Sequence, residues 1–471
     1  MTFDSIFFFI FFTTILFVYH SISNWNGRKA VLLSGSYFFY GIWNPPYVLL
    51  LLFSTVFSWY IGNKLIQSEN LLKRKVLLFS GLVGTLGVLA FYKYSAFLLD
   101  NLISVLSSID IIYKPPELDI LLPIGISFYT FQALSYVIDC YRKDQKELVT
   151  LANFALYVSF FPQLVAGPIV RTCEFLPQCQ SKKVVTVSHL GWGLFLLVLG
   201  LFMKVVIADA FLAPVVDKVY SEYLNINAVD AWLATFAYSG QIYFDFAGYS
   251  TCAIGVAMCF GFGLPDNFRY PYAALGFSDF WQRWHISLSR WIRDYLYFSF
   301  GGNKQGKKKE FRNLMMTMLI AGLWHGASWL FVLWGALHGF FLIIEHWLKT
   351  NFKDHFGLSK LSTTILILST FLIITLTWIP FRSPDIFVAL NMFATLFGNG
   401  KTALTNNLEC IEVLVITSLV LIWQVYMKFR YLENVIKPLN WFMRSLLITV
   451  MSVSILLVEG GESRAYIYFQ F

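Results

Sequence analysis

Apolar runs of about 20 residues recur along the whole chain, and they decide what it can fold into. They cover residues 5–22, 30–66, 76–98, 119–140, 150–170, 190–214, 231–264, 313–347, 361–381, 411–427 and 441–459. A helix satisfies its backbone hydrogen bonds internally, and about 20 residues of it cross the hydrocarbon. Strands of an outer-membrane barrel would alternate over about ten residues instead. The chain reads as an all-α polytopic membrane protein, with about eleven to thirteen spans plus re-entrant and interfacial helices. Only 13% of its residues are charged, about half the share of a soluble domain. Its 48 Phe, 25 Tyr and 15 Trp suit lipid-facing surfaces and interfacial aromatic belts.

Local breakers refine the count. The 30–66 run is interrupted by Asn44-Pro45-Pro46, which predicts two spans folded as a hairpin. The 313–347 run contains Gly322, Gly326, Gly335 and Gly339 and is too long for one span, which predicts two helices. The segment "FFPQLVAGPIVR" breaks the 150–170 run at Pro162, Gly167 and Pro168. Broken backbone at membrane depth must be covered, so this segment reads as a re-entrant loop and a cavity wall. No internal repeat and no long polar linker divides the chain, so residues 1–471 read as one domain, with 276–347 as its core segment.

The net charge of +8 comes from basic clusters at Lys64–Lys75, at Arg142–Lys146 and at Lys304–Arg312. Basic loops collect on the cytoplasmic side, so the charge signals topology rather than nucleic-acid binding and puts the N-terminus outside. Lys304, Lys307, Lys308, Lys309 and Arg312 could also touch anionic lipid or an anionic donor. The first run lacks a basic n-region and a cleavage site, so it reads as a span rather than a signal peptide. Six cysteines form no CxxC pair, and no HExxH, GxSxG or Walker loop occurs. A metal site, a disulfide framework, a serine nucleophile and an ATPase all lack support.

The stretch "AGLWHGASWLFVLWGALHG", residues 321–339, carries His325 and His338 in apolar surroundings. Ionisable groups there are costly unless used. Ahead of it lies "GFSDFWQRWHISLSRWIRDYLYFSFGGNK", residues 276–304. On a helical wheel Asp279, Gln282, Arg283, Ser287, Arg290, Arg293 and Asp294 share one arc, which predicts one amphipathic helix at the membrane interface. His285 falls on its apolar side, near Leu288 and Ile292. A neutral imidazole suits general-base work, either on a hydroxyl attacking an acyl thioester or in a proton relay. Each histidine could instead serve packing, and for His338 packing or positioning is the favoured reading. Gln241 and Asp245, four residues apart in "YSGQIYFDFAGYS", share a helix face and either bond a neighbouring helix or line a substrate path. His20, His189, His346 and His355 lie near span ends.

"FWQRWHISLSRWIRDYLYFSFGGN" followed by "GLWHGASWLFVLWGALHG" resembles the membrane-bound O-acyltransferase family, nearest its bacterial alginate O-acetyltransferase branch. "FFPQLVAGPIVR", "YFDFAGYS", "GFGLPDNFRYPY" and the closing "YIYFQF" resemble that branch in the same order. The resemblance implies a ring of tilted helices around a tunnel. It implies that His325 is the essential histidine and His285 a second one, with Trp284, Ser287, Trp324, Gln241, Asp245 and His338 as candidate tunnel residues. It implies acetyl-CoA as a cytoplasmic donor, an extracytoplasmic partner resembling an SGNH hydrolase, and a polysaccharide hydroxyl as acceptor in a bacterial cytoplasmic membrane. A D-alanyl transferase of the same family, acting on teichoic acid from a carrier-protein thioester, is the nearest alternative. A proton-coupled transporter using His325, Asp245 and His285 is a third, and a scaffold that anchors a polysaccharide assembly complex is a fourth.

Overall fold

The computed structural model describes residues 2–115, 120–351, 359–398, 403–458 and 464–467, and their regular elements are all helical. They form two compact units, Met1–Leu194 with Ala253–Pro265, and Phe195–Cys252 with Asp266–Phe471.

The first unit holds α1 (Ile6–Ser21), α2 (Trp25–Trp43), α3 (Pro45–Gln67), α4 (Leu71–Ser107), α5 (Ile126–Arg142), α6 (Leu151–Ser159), α7 (Phe161–Leu164) and α8 (Thr172–Gln180). The hairpin expected at Asn44 is present: α2 stops at Trp43 and Pro45 opens α3, where its missing N–H costs nothing. Ser5, Asn24, Asn70 and Thr150 cap α1, α2, α4 and α6 through their side-chain oxygens. The "FFPQLVAGPIV" segment is broken as expected, and its residues are buried throughout, so protein covers the irregular backbone.

The second unit takes up the chain within α9 (Val187–Leu201), which runs through a wide π-helical stretch (Phe202–Leu212) into α10 (Ala213–Ser221). There follow α11 (Ala228–Cys259), α12 (Phe277–Trp281), α13 (Ile286–Trp291), α14 (Lys307–His325), α15 (Trp329–Asn351) and α16 (Lys360–Arg382). The last helices are α17 (Ile386–Phe397), α18 (Asn407–Met427), α19 (Leu432–Ile436) and α20 (Trp441–Val458). Helices α9 and α11 meet through glycines. A Cβ on Gly200 would lie 2.5 Å from the Gly248 carbonyl, and one on Gly248 2.8 Å from the Gly200 carbonyl.

Eight helices among the described residues are long and apolar enough to cross a membrane, so the chain is a multi-pass membrane protein. Other helices are shorter or carry charge at one end. Ile6–Ser21 and Ile386–Phe397 are apolar but short, and α14 opens on Lys307, Lys308 and Lys309. The structure corrects the expectation for residues 276–304. They do not form one amphipathic helix: α12, α13 and a π-helical turn (Ile292–Tyr297) replace it. The break falls at His285, whose backbone is left-handed, with φ 43° and ψ 54°.

Candidate active site

His325 is the last residue of α14. The two helices predicted for the 313–347 run are α14 and α15, and glycines let them touch. A Cβ on Gly322 would lie 2.2 Å from the Phe331 carbonyl, and one on Gly335 2.3 Å from the Met318 carbonyl. At Gly326 the chain leaves the helix in an extended conformation, φ −163°. A Cβ there would lie 2.1 Å from the Phe331 ring. This close approach explains the glycine of the Trp-His-Gly triplet. His325 is buried, with Trp324 and Trp334 each 5.0 Å from its ring centroid and Phe381 at 5.4 Å.

His285 stands between α12 and α13 and is fully buried. Its Nδ1 lies 3.1 Å from Oδ1 of Asn267, and Phe246 meets its ring edge-on at 4.6 Å. Burial pushes its pKa well below the ordinary imidazole value, which keeps the ring neutral near pH 7. Ser287, placed on the wet arc by the wheel, is buried and donates its hydroxyl to Asn267 Oδ1 at 2.8 Å. Trp324 comes near both imidazoles: its ring centroid is 6.1 Å from that of His285 and 5.0 Å from that of His325.

His338, on α15, packs against Trp334 at 4.6 Å and Trp281 at 5.3 Å. Its Nε2 lies 3.1 Å from the Thr377 hydroxyl. That hydroxyl donates to the Ile374 carbonyl, so it accepts from His338. Trp284 is buried in the same aromatic layer, 5.0 Å from both Phe268 and Trp378.

Gln241 and Asp245 do share a face of α11, and they line a cavity of about 350 Å³ with Tyr238, Lys204, Asp209, Asp217 and Arg382. Asp245 pairs with Lys204 at 2.5 Å, and Lys204 also reaches Asp209 at 2.9 Å. The histidines do not line this cavity. Two helices nevertheless connect it to them. On α11 Asp245 faces the cavity and Phe246 packs on His285; on α16 Arg382 faces it and Phe381 packs on His325.

Lys204, Asn267 and Arg382 belong to these surroundings although no motif or periodicity marks them. Lys204 did carry a signal, since it is a lone lysine inside the apolar 190–214 run. Asn267 sat in the quoted "GFGLPDNFRYPY" without a role. Of the other histidines, His20 has Nε2 3.1 Å from the Cys259 carbonyl, His189 is exposed, and His346 lies 3.6 Å from Glu310. His355 and residues 468–471 of the closing motif lie outside the described residues.

The profile of the MBOAT, membrane-bound O-acyltransferase family matches residues 141–380, about half of the chain and every candidate site residue named from the sequence. The chain belongs to the membrane-bound O-acyltransferase family. A probable alginate O-acetylase AlgI of Azotobacter vinelandii is 37% identical over 93% of this chain and 87% of its own. A peptidoglycan O-acetyltransferase of Helicobacter pylori is 36% identical over 82% of this chain and 77% of its own. A teichoic acid D-alanyltransferase of Streptococcus thermophilus is 30% identical over 49% of this chain and 59% of its own. Membership makes the protein an O-acyltransferase, which sets aside the transporter and scaffold readings.

Proposed function

We propose that this O-acyltransferase moves an acetyl group from cytoplasmic acetyl-CoA to a hydroxyl of an extracytoplasmic polysaccharide, with His325 as general base. The observation that carries the assignment is the setting of His325: a buried imidazole at a helix end, boxed by Trp324, Trp334 and Phe381, with the chain turned away by a glycine that tolerates no side chain. Such a site excludes water, which protects a thioester from hydrolysis. His325 takes the proton of the acceptor hydroxyl, the oxygen attacks the acetyl carbonyl, and the C–S bond breaks. The proton then leaves with the thiolate as free CoA thiol. Hydrogen-bond donors near the carbonyl stabilise the oxyanion that develops. His285 orients the donor or shares the proton transfer.

Trp284, Ser287, Trp324 and His338 form the walls around the two imidazoles in this reading. Gln241 and Asp245 mark the acceptor path. Gln241 Oε1 and the Tyr238 hydroxyl are buried at the cavity without a hydrogen-bond partner among the described residues, which suits a hydroxyl-rich ligand. The acetyl donor is favoured over a D-alanyl carrier-protein thioester because the relatives named for O-acetyl transfer share most of this chain, whereas the D-alanyltransferase shares half. The enzyme would sit in a bacterial cytoplasmic membrane with its N-terminus outside and the 304–312 lysine loop inside. An extracytoplasmic protein resembling an SGNH hydrolase would receive the acetyl group or pass it on. No resident metal or cofactor enters the chemistry.

The test follows free thiol released from acetyl-CoA by purified protein with an acceptor glycan and the extracytoplasmic partner. Wild-type turnover that vanishes in folded His325→Ala supports the reading. Equal turnover in both removes His325 from the chemistry. Turnover only with a D-alanyl carrier-protein thioester replaces the donor.

A further inference from the structure

We propose that Asn267 is the positioning residue that fixes the tautomer and orientation of His285, placing the ring proton on Nδ1 and making Nε2 its basic nitrogen. The proposal rests on the reading above in that His285 takes part in acyl transfer. The tautomer itself follows from hydrogen-bond logic alone.

Asn267 is 1% exposed, and both polar atoms of its amide are hydrogen-bonded. Its Oδ1 lies 3.3 Å from the backbone N–H of Ser287, a group that can only donate. The Ser287 hydroxyl donates to the same oxygen at 2.8 Å, and Nδ2 donates to the Ser250 hydroxyl at 3.0 Å. A flipped amide would set its NH₂ against the Ser287 N–H, donor against donor, so the amide has one orientation. The atom 3.1 Å from His285 Nδ1 is therefore an acceptor, and Nδ1 must carry the proton. In a neutral imidazole the partner of one nitrogen decides the state of the other. Nε2 thus keeps its lone pair.

The backbone of the same loop completes the hold. The Asn267 carbonyl accepts from the Ile286 N–H at 2.9 Å, and the Arg269 N–H donates to the Arg283 carbonyl at 2.9 Å. These two bonds clasp the chain on either side of His285, which is held in the left-handed region at φ 43°. The "LPDNFRYPY" loop, to which no role has been given, is thereby tied to the chemistry through a single amide.

The decisive measurement is ¹⁵N NMR of protein labelled at histidine, with the His285 signals identified by their absence in His285→Gln. A pyridine-type nitrogen at Nε2 in the substrate-free wild type is the expected result; a proton on Nε2 overturns the proposal. This readout needs no turnover, so it stands apart from the identity of the acyl donor. Kinetics supply the second arm, using whichever thioester the wild type turns over. Asn267→Leu lowers kcat by about 10- to 100-fold, the range seen when a metal-bound histidine loses the partner that orients its ring. Asn267→Asp, which keeps an acceptor, retains most of it. In a His285→Gln background Asn267→Leu costs nothing further, because its effect runs through the missing ring. An equal loss in both backgrounds marks a merely structural role and refutes the idea. Should Asn267→Leu not fold, the wild-type tautomer and Asn267→Asp decide.

Discussion

Replacing Gly326 by alanine tests how tightly the α14–α15 hairpin holds His325. The backbone there is extended, so alanine brings no conformational penalty and the whole effect is steric. The new Cβ would sit 2.1 Å from Phe331 Cε2 and 2.4 Å from Cδ2. Carbon atoms settle about 3.5–4.0 Å apart, so the ring must withdraw by roughly 1.5 Å. It has little room to do so. Phe331 packs edge-on against Phe381 at 4.9 Å, and Phe381 in turn lies 5.4 Å from His325 and 5.2 Å from Trp334. Overpacking of this kind costs about 1–3 kcal/mol. A displacement near 1 Å passed on to a catalytic group slows turnover by up to about 100-fold. Gly326→Ala is therefore expected to lower both the melting temperature in detergent and the rate of thiol release. Phe331→Leu, which has no ε carbon, should restore much of both when combined with Gly326→Ala. Wild-type stability and rate in Gly326→Ala, or a double variant no better than the single, would refute the reasoning.

Two further outcomes follow from buried charge. Lys204→Met takes from Asp245 its buried counter-ion and leaves it the Ile467 N–H, at a site where both residues are 1% exposed, and removing one partner of such a pair costs about 3–5 kcal/mol. Adding Asp245→Asn should recover part of that loss in thermal unfolding, and strict additivity would contradict the pairing. Asp230 accepts from the N–H groups of Leu404 and Thr405, each at 2.9 Å, and so ties the start of α11 to the strand of chain before α18. Asp230→Ala should cost on the order of 3 kcal/mol by stripping the buried Thr405 N–H and the part-buried Leu404 N–H of a charged acceptor. Thiol release below the melting point should remain unchanged, since Asp230 touches none of the proposed catalytic groups.

What the sequence reveals and what it hides divide along one physical line. Signals that depend on the solvent or on adjacent residues are legible. The spans appear because lipid demands self-satisfied backbone, and the α2–α3 hairpin appears because Pro45 cannot continue a helix. His325 stands out because an imidazole inside an apolar run needs a reason. Signals that depend on a distant partner are not legible. Spacing pairs Asp245 with Gln241, four residues away, while its ion-pair partner Lys204 lies 41 residues upstream. A wheel through residues 276–304 holds only for a regular helical backbone, and the chain instead turns at His285, where Asn267, 18 residues before it, bonds the ring and the Ile286 N–H. An unbroken helix would carry His285 wherever the period put it, whereas the left-handed turn lets the "LPDNFRYPY" loop choose the ring's orientation. A strained backbone at a buried, hydrogen-bonded histidine needs surroundings that hold it in place. The place where periodicity fails is therefore where tertiary contacts position the second imidazole of the site.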